Sequence, residues 1–260
     1  MLSPLGALAV LGAGVAAGTI NTVVGSGTLI TFPTLLALGL PPVTANVSNT
    51  VGIFPGSLAG TWGYRAGLAG QGRRLVGPVL ASTAGGLLGG LALLVLPVAA
   101  FRTIVPVLIG LACVLVLIGP RVNRWLADRR QAALTAPEAG PLAVPHHPTG
   151  LAAAVLGSGV YGGYFGAAQG VLLIAILGIL YDEDLQRVNA AKNLLAAVVN
   201  LTAAALFVVV ASVDWQAAGL VAAGSTIGGL LGARVGRRLP ARVLRALVLV
   251  VGVVALSQML

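Results

Sequence analysis

An all-α polytopic membrane protein of two inverted-topology repeats, the first segment of each a broken or re-entrant helix, is predicted by three observations on this 260-residue chain. First, hydrophobic residues make up 58% of the chain and charged residues 8%, with a mean hydropathy of +1.02; soluble domains carry roughly 25% charge. Second, the chain repeats itself at an interval of 143 to 145 residues. Gly12, Gly14, Gly18 and Gly25 recur as Gly157, Gly159, Gly163 and Gly170, and Ser82-Thr83-x-Gly85-Gly86-Leu87-Leu88-Gly89 recurs as Ser225-Thr226-x-Gly228-Gly229-Leu230-Leu231-Gly232. Third, the opening apolar stretch of each half is too long to cross a bilayer once. Duplicated halves with broken helices are a signature of secondary transporters.

Taken in order, the apolar segments are 5–40, 43–62, 75–96 and 101–119, then 150–181, 188–212, 215–233 and 243–260. Long Leu/Ala/Val/Gly runs of this kind read as helices, not as the short alternating strands of a barrel. Residues 5–40 as one helix would reach roughly 54 Å against a hydrocarbon core of about 30 Å. They must break. Gly25-Ser26-Gly27, with Pro33 soon after, and Gly166-Ala167-Ala168-Gln169-Gly170 are the natural break points. The boundaries that follow are 1–120 for the first repeat, 121–149 for a cytoplasmic linker and 150–260 for the second repeat.

Charge sets the orientation. Eight alternating crossings divide the 15 basic residues seven to eight, against the positive-inside rule. If each opening segment returns to the side it entered from, the halves are inverted, and Arg102 alone is separated from the other 14. The populated side is then the cytoplasm, and both termini are expected outside. Trp62, Trp125 and Trp215 suit the interfaces. Met1 to Val10 carry no Lys or Arg, so the first helix is expected to be retained.

Several function classes are excluded. The basic residues stand between hydrophobic runs, which argues against nucleic acid as a partner. Cys113 is the only cysteine, so neither an intrachain disulfide nor a cysteine metal cluster forms. Adjacent His146 and His147 point apart, and no third ligand type lies nearby, so they read as solvated linker. The six acidic residues, Asp128, Glu138, Asp182, Glu183, Asp184 and Asp214, fall in loops or at helix ends. An intramembrane carboxylate relay or a cation site is therefore not expected. No paired intramembrane aspartate, His-Glu motif or serine-activating histidine suggests an enzyme, and no metal or cofactor is expected.

Neutral polar residues do gather at the breaks. Asn21, Gly25, Ser26 and Gly27 mark the first, Gln169 and Gly170 the second, and beside them come Asn46 and Asn49, then Asn189, Lys192 and Asn193. A broken helix exposes unpaired N–H groups where its second half begins, and its dipole favours an anion there. Amide and hydroxyl donors with one ammonium suit a small oxyanion. Three plainer roles stand beside this one: the Gly-x-x-x-Gly pairs as close helix packing, the asparagines as interhelical hydrogen bonds, and Lys192 as a snorkelling residue.

In Gly14-x-x-x-Gly18-x-x-Asn21-x-x-x-Gly25-Ser26-Gly27, Leu38-Gly39-Leu40-Pro41-Pro42 with Ala45-Asn46, Gly159-x-x-x-Gly163-Tyr164-Phe165-Gly166-x-x-Gln169-Gly170 and Asn189-Ala190-x-Lys192-Asn193, the chain resembles the TauE/SafE family of sulfite exporters and toluenesulfonate-uptake permeases. The resemblance implies a secondary transporter for small sulfur-containing anions such as sulfite or organosulfonates, working by alternating access in the bacterial cytoplasmic membrane. Its implied partners are that substrate and the lipid bilayer, with a homo-oligomer left open. An anion conduit of the same fold and a non-transporting scaffold are the alternatives. Ser26 departs from a frequent family glycine, and Ala167-Ala168 from a glycine-rich break.

Overall fold

The computed structural model describes residues 2–135, 148–181 and 183–235, with isolated positions between 246 and 253. Glu138, Asp182, Pro137, Pro141, Pro145, His146, His147 and most of the eighth apolar segment lie outside the described residues. The described chain is helical: α1 (Pro4–Val23), α2 (Thr28–Ala37), α3 (Pro42–Gly63), the short α4 (Arg65–Leu68), α5 (Gly72–Val95), α6 (Val98–Thr135), α7 (Pro148–Tyr164), α8 (Gln169–Leu180), α9 (Leu185–Val210) and α10 (Trp215–Val235). Five described stretches are long and apolar enough to cross a membrane, in α1, α5, α6, α9 and α10. The segment expected to end at 119 continues as helix α6 through the first part of the expected linker, to Thr135.

Helix starts carry their own signals. Ser3 Oγ accepts the Gly6 N–H at 3.1 Å, with Pro4 in the first turn of α1. Asp184 Oδ1 accepts from the N–H groups of Gln186 and Arg187 at 2.8 and 3.0 Å, and Asp214 Oδ1 accepts from Ala217 N–H at 2.9 Å. Two of the six acidic residues are thus helix caps. Glu183 pairs with Arg74 at 2.7 Å and Arg187 at 2.6 Å, joining α5 to α9.

Packing is reciprocal between the halves. α1 lies on α10 and α5 on α7, while α3 and α9 meet between these pairs. Glycine makes the close approach possible. A Cβ on Gly18 would stand 2.2 Å from Ser225 O, and one on Gly228 would stand 2.1 Å from Val15 O. At the corresponding crossing, a Cβ on Gly163 would stand 2.3 Å from Gly86 O, and one on Gly89 would stand 2.1 Å from Val160 O. The Gly-x-x-x-Gly pairs are packing surfaces, as small residues in membrane helices commonly are. The aromatic core sits beside the second break, where Phe32 of α2 meets Phe165 edge-on at 5.2 Å and Phe101 of α6 at 6.4 Å.

Contacts between distant residues trace the path of the chain. Leu38, at the end of α2, lies against Gly6, near the start of α1. Leu2 N–H donates to Gln216 Oε1 at 3.0 Å and Asp214 N–H to Ser48 Oγ at 2.8 Å, grouping the starts of α1, α3 and α10. Elsewhere, Tyr181 after α8 donates to the buried Gln71 Oε1 at 2.7 Å, and Leu151 of α7 shares a cluster with Leu75 and Tyr181.

Replacing Gly18 by alanine is expected to lower the melting temperature of the purified protein, with a destabilisation of about 1–3 kcal/mol from overpacking. Gly12→Ala is the control, because a Cβ there meets nothing within 4 Å. Equal melting temperatures for the two variants would show that the α1–α10 contact is looser than described.

Candidate functional site

The site is built from two interruptions. At the first, α1 ends at Val23 and Gly25 adopts φ +86°, its N–H reaching Ile20 O at 3.0 Å. At the second, α7 ends at Tyr164 and Gly166 adopts φ +77°, its N–H reaching Tyr161 O at 3.1 Å. Both are glycine C-terminal caps in the left-handed region. By backbone role, then, Gly25 corresponds to Gly166, whereas the sequence repeat aligns it with Gly170. Seven residues separate Gly18 from Gly25 but three separate Gly163 from Gly166. α1 therefore runs one turn further than α7 beyond the shared packing glycine.

The two breaks touch. Gly170 N–H donates to Gly25 O at 3.0 Å, and a Cβ on Gly25 would stand 2.3 Å from Gly170 Cα. Ala168, just before α8, holds φ +58° although it has a side chain, a conformation that costs about 1–2 kcal/mol outside glycine. The alanine-rich break thus keeps a left-handed residue, under strain.

The extra turn of α1 presents carbonyls that α9 covers. Lys192, fully buried, donates from Nζ to Thr22 O at 2.9 Å and Asn21 O at 3.3 Å. Asn193 Nδ2 adds a bond to Thr22 O at 3.3 Å. Lys192 does not snorkel; it places a donor group at the negative end of a helix, where orphan carbonyls need donors. An ammonium has three donors, so one remains. In the other half Asn46 Nδ2 donates to Tyr164 O at 2.9 Å, covering the end of α7.

Other expected residues separate into groups. Asn49 is buried, donating to Thr28 Oγ1 at 3.4 Å and accepting from Thr31 Oγ1, which ties it to the first turn of α2. Gly27 precedes α2 in helical conformation, packed so that a Cβ would meet Ala17 O at 2.5 Å. Gln169 turns back to α7, donating to Ser158 O at 3.2 Å. Asn21 Nδ2 donates to Ser57 Oγ at 3.2 Å. Asn189 is half-buried, and its Oδ1 has no partner among the described residues. Ser26 Oγ, fully buried, also lacks one, as do Asn46 Oδ1 and Tyr164 OH.

Sequence reasoning missed Ser57, Asn200 and Thr31. Ser57 Oγ accepts from both Asn21 and Asn200, the latter at 2.9 Å. The repeat did hold a signal for this pair: Ser57 and Asn200 stand 143 apart, the same interval as Ser82 and Ser225.

The chain matches the family model described as Sulfite exporter TauE/SafE over residues 10–259. The probable membrane transporter protein YfcA of Escherichia coli strain K12 is 27% identical over 266 residues, covering 100% of this chain and 91% of its own. A probable membrane transporter protein of Haemophilus influenzae is 28% identical over 221 residues, covering 85% of this chain and 81% of its own. Probable membrane transporter protein ORF9 of a Sinorhizobium species is 26% identical over 239 residues, at 91% and 85% coverage. No solved structure matches the chain. With apolar helices, interrupted segments and a family match across nearly its whole length, the chain belongs to the Sulfite exporter TauE/SafE family of membrane transporters.

Proposed function

We propose that the protein is a secondary transporter that carries small sulfur-containing oxyanions, sulfite or organosulfonates, across the bacterial cytoplasmic membrane. Alternating access of two inverted halves moves the substrate, which binds at the paired breaks. The observation that carries this reading is the buried, unpartnered hydroxyl of Ser26 at the entrance to α2. The N–H groups of Ser26, Gly27 and Thr28 beside it have no acceptor among the described residues. A hydroxyl and a helix N-terminus together form a donor set for an oxyanion.

Polarity of the two broken helices supports the same reading. The carbonyl end of α1, which would repel an anion, is occupied by Lys192 and Asn193. No acidic side chain forms an ion pair with Lys192 among the described residues, so its charge still contributes to the local field. The family name supplies the substrate class, and the relatives' names the role of membrane transporter. The contact of Leu38 with Gly6, and of Tyr181 with Gln71, supports two opening segments that each return towards their own start, from opposite faces of the membrane.

Ser26→Ala separates stability from function. Removing a buried hydroxyl without a partner is expected to leave the protein as stable or to stabilise it by up to about 1–3 kcal/mol. Substrate affinity in proteoliposome flux, measured over sulfite, sulfate and organosulfonates, is expected to fall. Unchanged affinity across that panel would remove Ser26 from the site.

Lys192→Gln is expected to weaken anion affinity roughly tenfold or more, the scale of a lost charge-assisted hydrogen bond, and more than Lys192→Arg does. A variant that melts earlier yet binds with wild-type affinity would make Lys192 a cap for α1 alone.

Orientation has its own test. With Cys113 replaced, a cysteine at Thr135 is expected to resist a membrane-impermeant thiol reagent in intact cells and to react in inverted vesicles. Labelling from outside would overturn the inverted arrangement.

A further inference from the structure

We propose that an anionic phospholipid of the surrounding bilayer seats between α5 and α9, with one acyl chain in a surface groove and its phosphate on Arg73. The groove is a cavity of about 270 Å³ whose walls include Gly72, Leu75, Val76 and Leu80 of α5, Leu68 of α4 and Leu194 of α9. Its lining is apolar throughout, and Leu80 and Val76 are exposed along one edge. That edge suits a hydrocarbon chain. Fixed charge at its mouth selects the headgroup.

Arg73 stands on the same helical face as Val76 and Leu80, at spacings of three and seven residues, and next to Gly72 of the groove wall, so it sits at the N-terminal end of the exposed edge. It is exposed, with no ion-pair or hydrogen-bond partner among the described residues. Arg74 points elsewhere and is held by Glu183. The membrane-crossing helix begins at Gly72, which puts the guanidinium where hydrocarbon gives way to headgroups. There a long basic side chain keeps its stem on apolar surface and its charge in the polar layer, and the planar fork matches a phosphate bidentately. Arg74 and Arg187 are both paired with Glu183, which leaves the guanidinium of Arg73 as the uncompensated charge at the mouth, so a lipid with net negative charge is favoured over a zwitterionic one.

The seat adjoins the substrate machinery without belonging to it. Leu194 directly follows Lys192 and Asn193 on α9, and Glu183 ties the start of α5 to the start of α9. An acyl chain wedged between these helices senses their separation. Transport is expected to depend on the anionic lipid content of the membrane.

Native mass spectrometry of the full-length protein in detergent tests the seat, with phosphatidylglycerol and phosphatidylcholine of identical acyl chains as probes. Wild type is expected to retain phosphatidylglycerol preferentially, Arg73→Gln to lower that retention about fivefold, the scale of one basic residue at a membrane surface, and Arg73→Lys to keep most of it. Gly72→Trp places a ring in open space at the groove, where an added Cβ meets nothing within 4 Å, and is expected to reduce retention of both lipids. Equal retention of the two lipids by wild type would overturn the proposal. So would a loss in Arg73→Gln with none in Gly72→Trp, which would mean surface attraction without a seat, or a loss in Gly72→Trp alone, which would mean an apolar groove blind to headgroups.

Discussion

A helix interrupted inside a bilayer leaves backbone groups that lipid cannot satisfy, and they must be satisfied by protein. Each half of this molecule solves the problem with the other half. Lys192 and Asn193, from α9, cover carbonyls at the end of α1; Asn46, from α3, covers a carbonyl at the end of α7. Gly170 N–H, at the start of α8, takes the carbonyl of Gly25. The unbroken third helix of each half is thus a capping element for the broken pair of its counterpart. Neither half is complete alone, and the centre of the molecule is held by polar contacts that cross between the halves.

Close packing makes those contacts reachable. Side chains as short as asparagine bridge two helices only if the backbones come close, and the glycines facing Ser225, Val15, Gly86 and Val160 leave room for that. The same crossings put α1 and α7 on opposite flanks, so the break after α1 meets the break after α7 at Gly25 and Gly170. Seven residues from Gly18 to Gly25, against three from Gly163 to Gly166, then make the convergence unequal. One turn of extra helix brings the carbonyls of Asn21 and Thr22 to Lys192. In the aligned position of the first half stands Ser48, 144 residues earlier, and it accepts a hydrogen bond from Asp214 N–H instead. Duplication supplied the framework, and a local difference in helix length assigned the charge.

Much of this was legible from residue types. Segments and breaks followed from lengths that no single crossing can accommodate, and the glycine pairs fell where packing needs them. What was not legible depends on through-space pairing. Aligning Gly25 with Gly170 rests on identity, whereas φ values pair it with Gly166. Gln169 sits at the break but its amide faces α7, because the left-handed residue before it turns the chain. Snorkelling was an open alternative for Lys192 until its burial placed the ammonium against α1. Ser57 escaped notice since a lone serine in an apolar helix carries no local signal, and only its repeat partner Asn200 identifies it.

On the proposed reading, covering carbonyl ends and leaving donor groups uncovered would act as a charge filter built from backbone. Five carbonyl groups beside the breaks are occupied: Ile20 and Tyr161 by the glycine caps, Thr22 by Lys192 and Asn193, Tyr164 by Asn46, Gly25 by Gly170. Donors at the start of α2 are not, and the Ser26 hydroxyl joins them. A cation entering this region would find those five ligands already taken. An anion would find N–H and O–H groups whose desolvation the fold has already incurred, so that binding requires little further loss of hydration from the protein side. Selectivity for negative charge, as proposed, would then need no cluster of arginines in the membrane, where each would be costly. One lysine, held at the end of a helix, would be the basic group it uses.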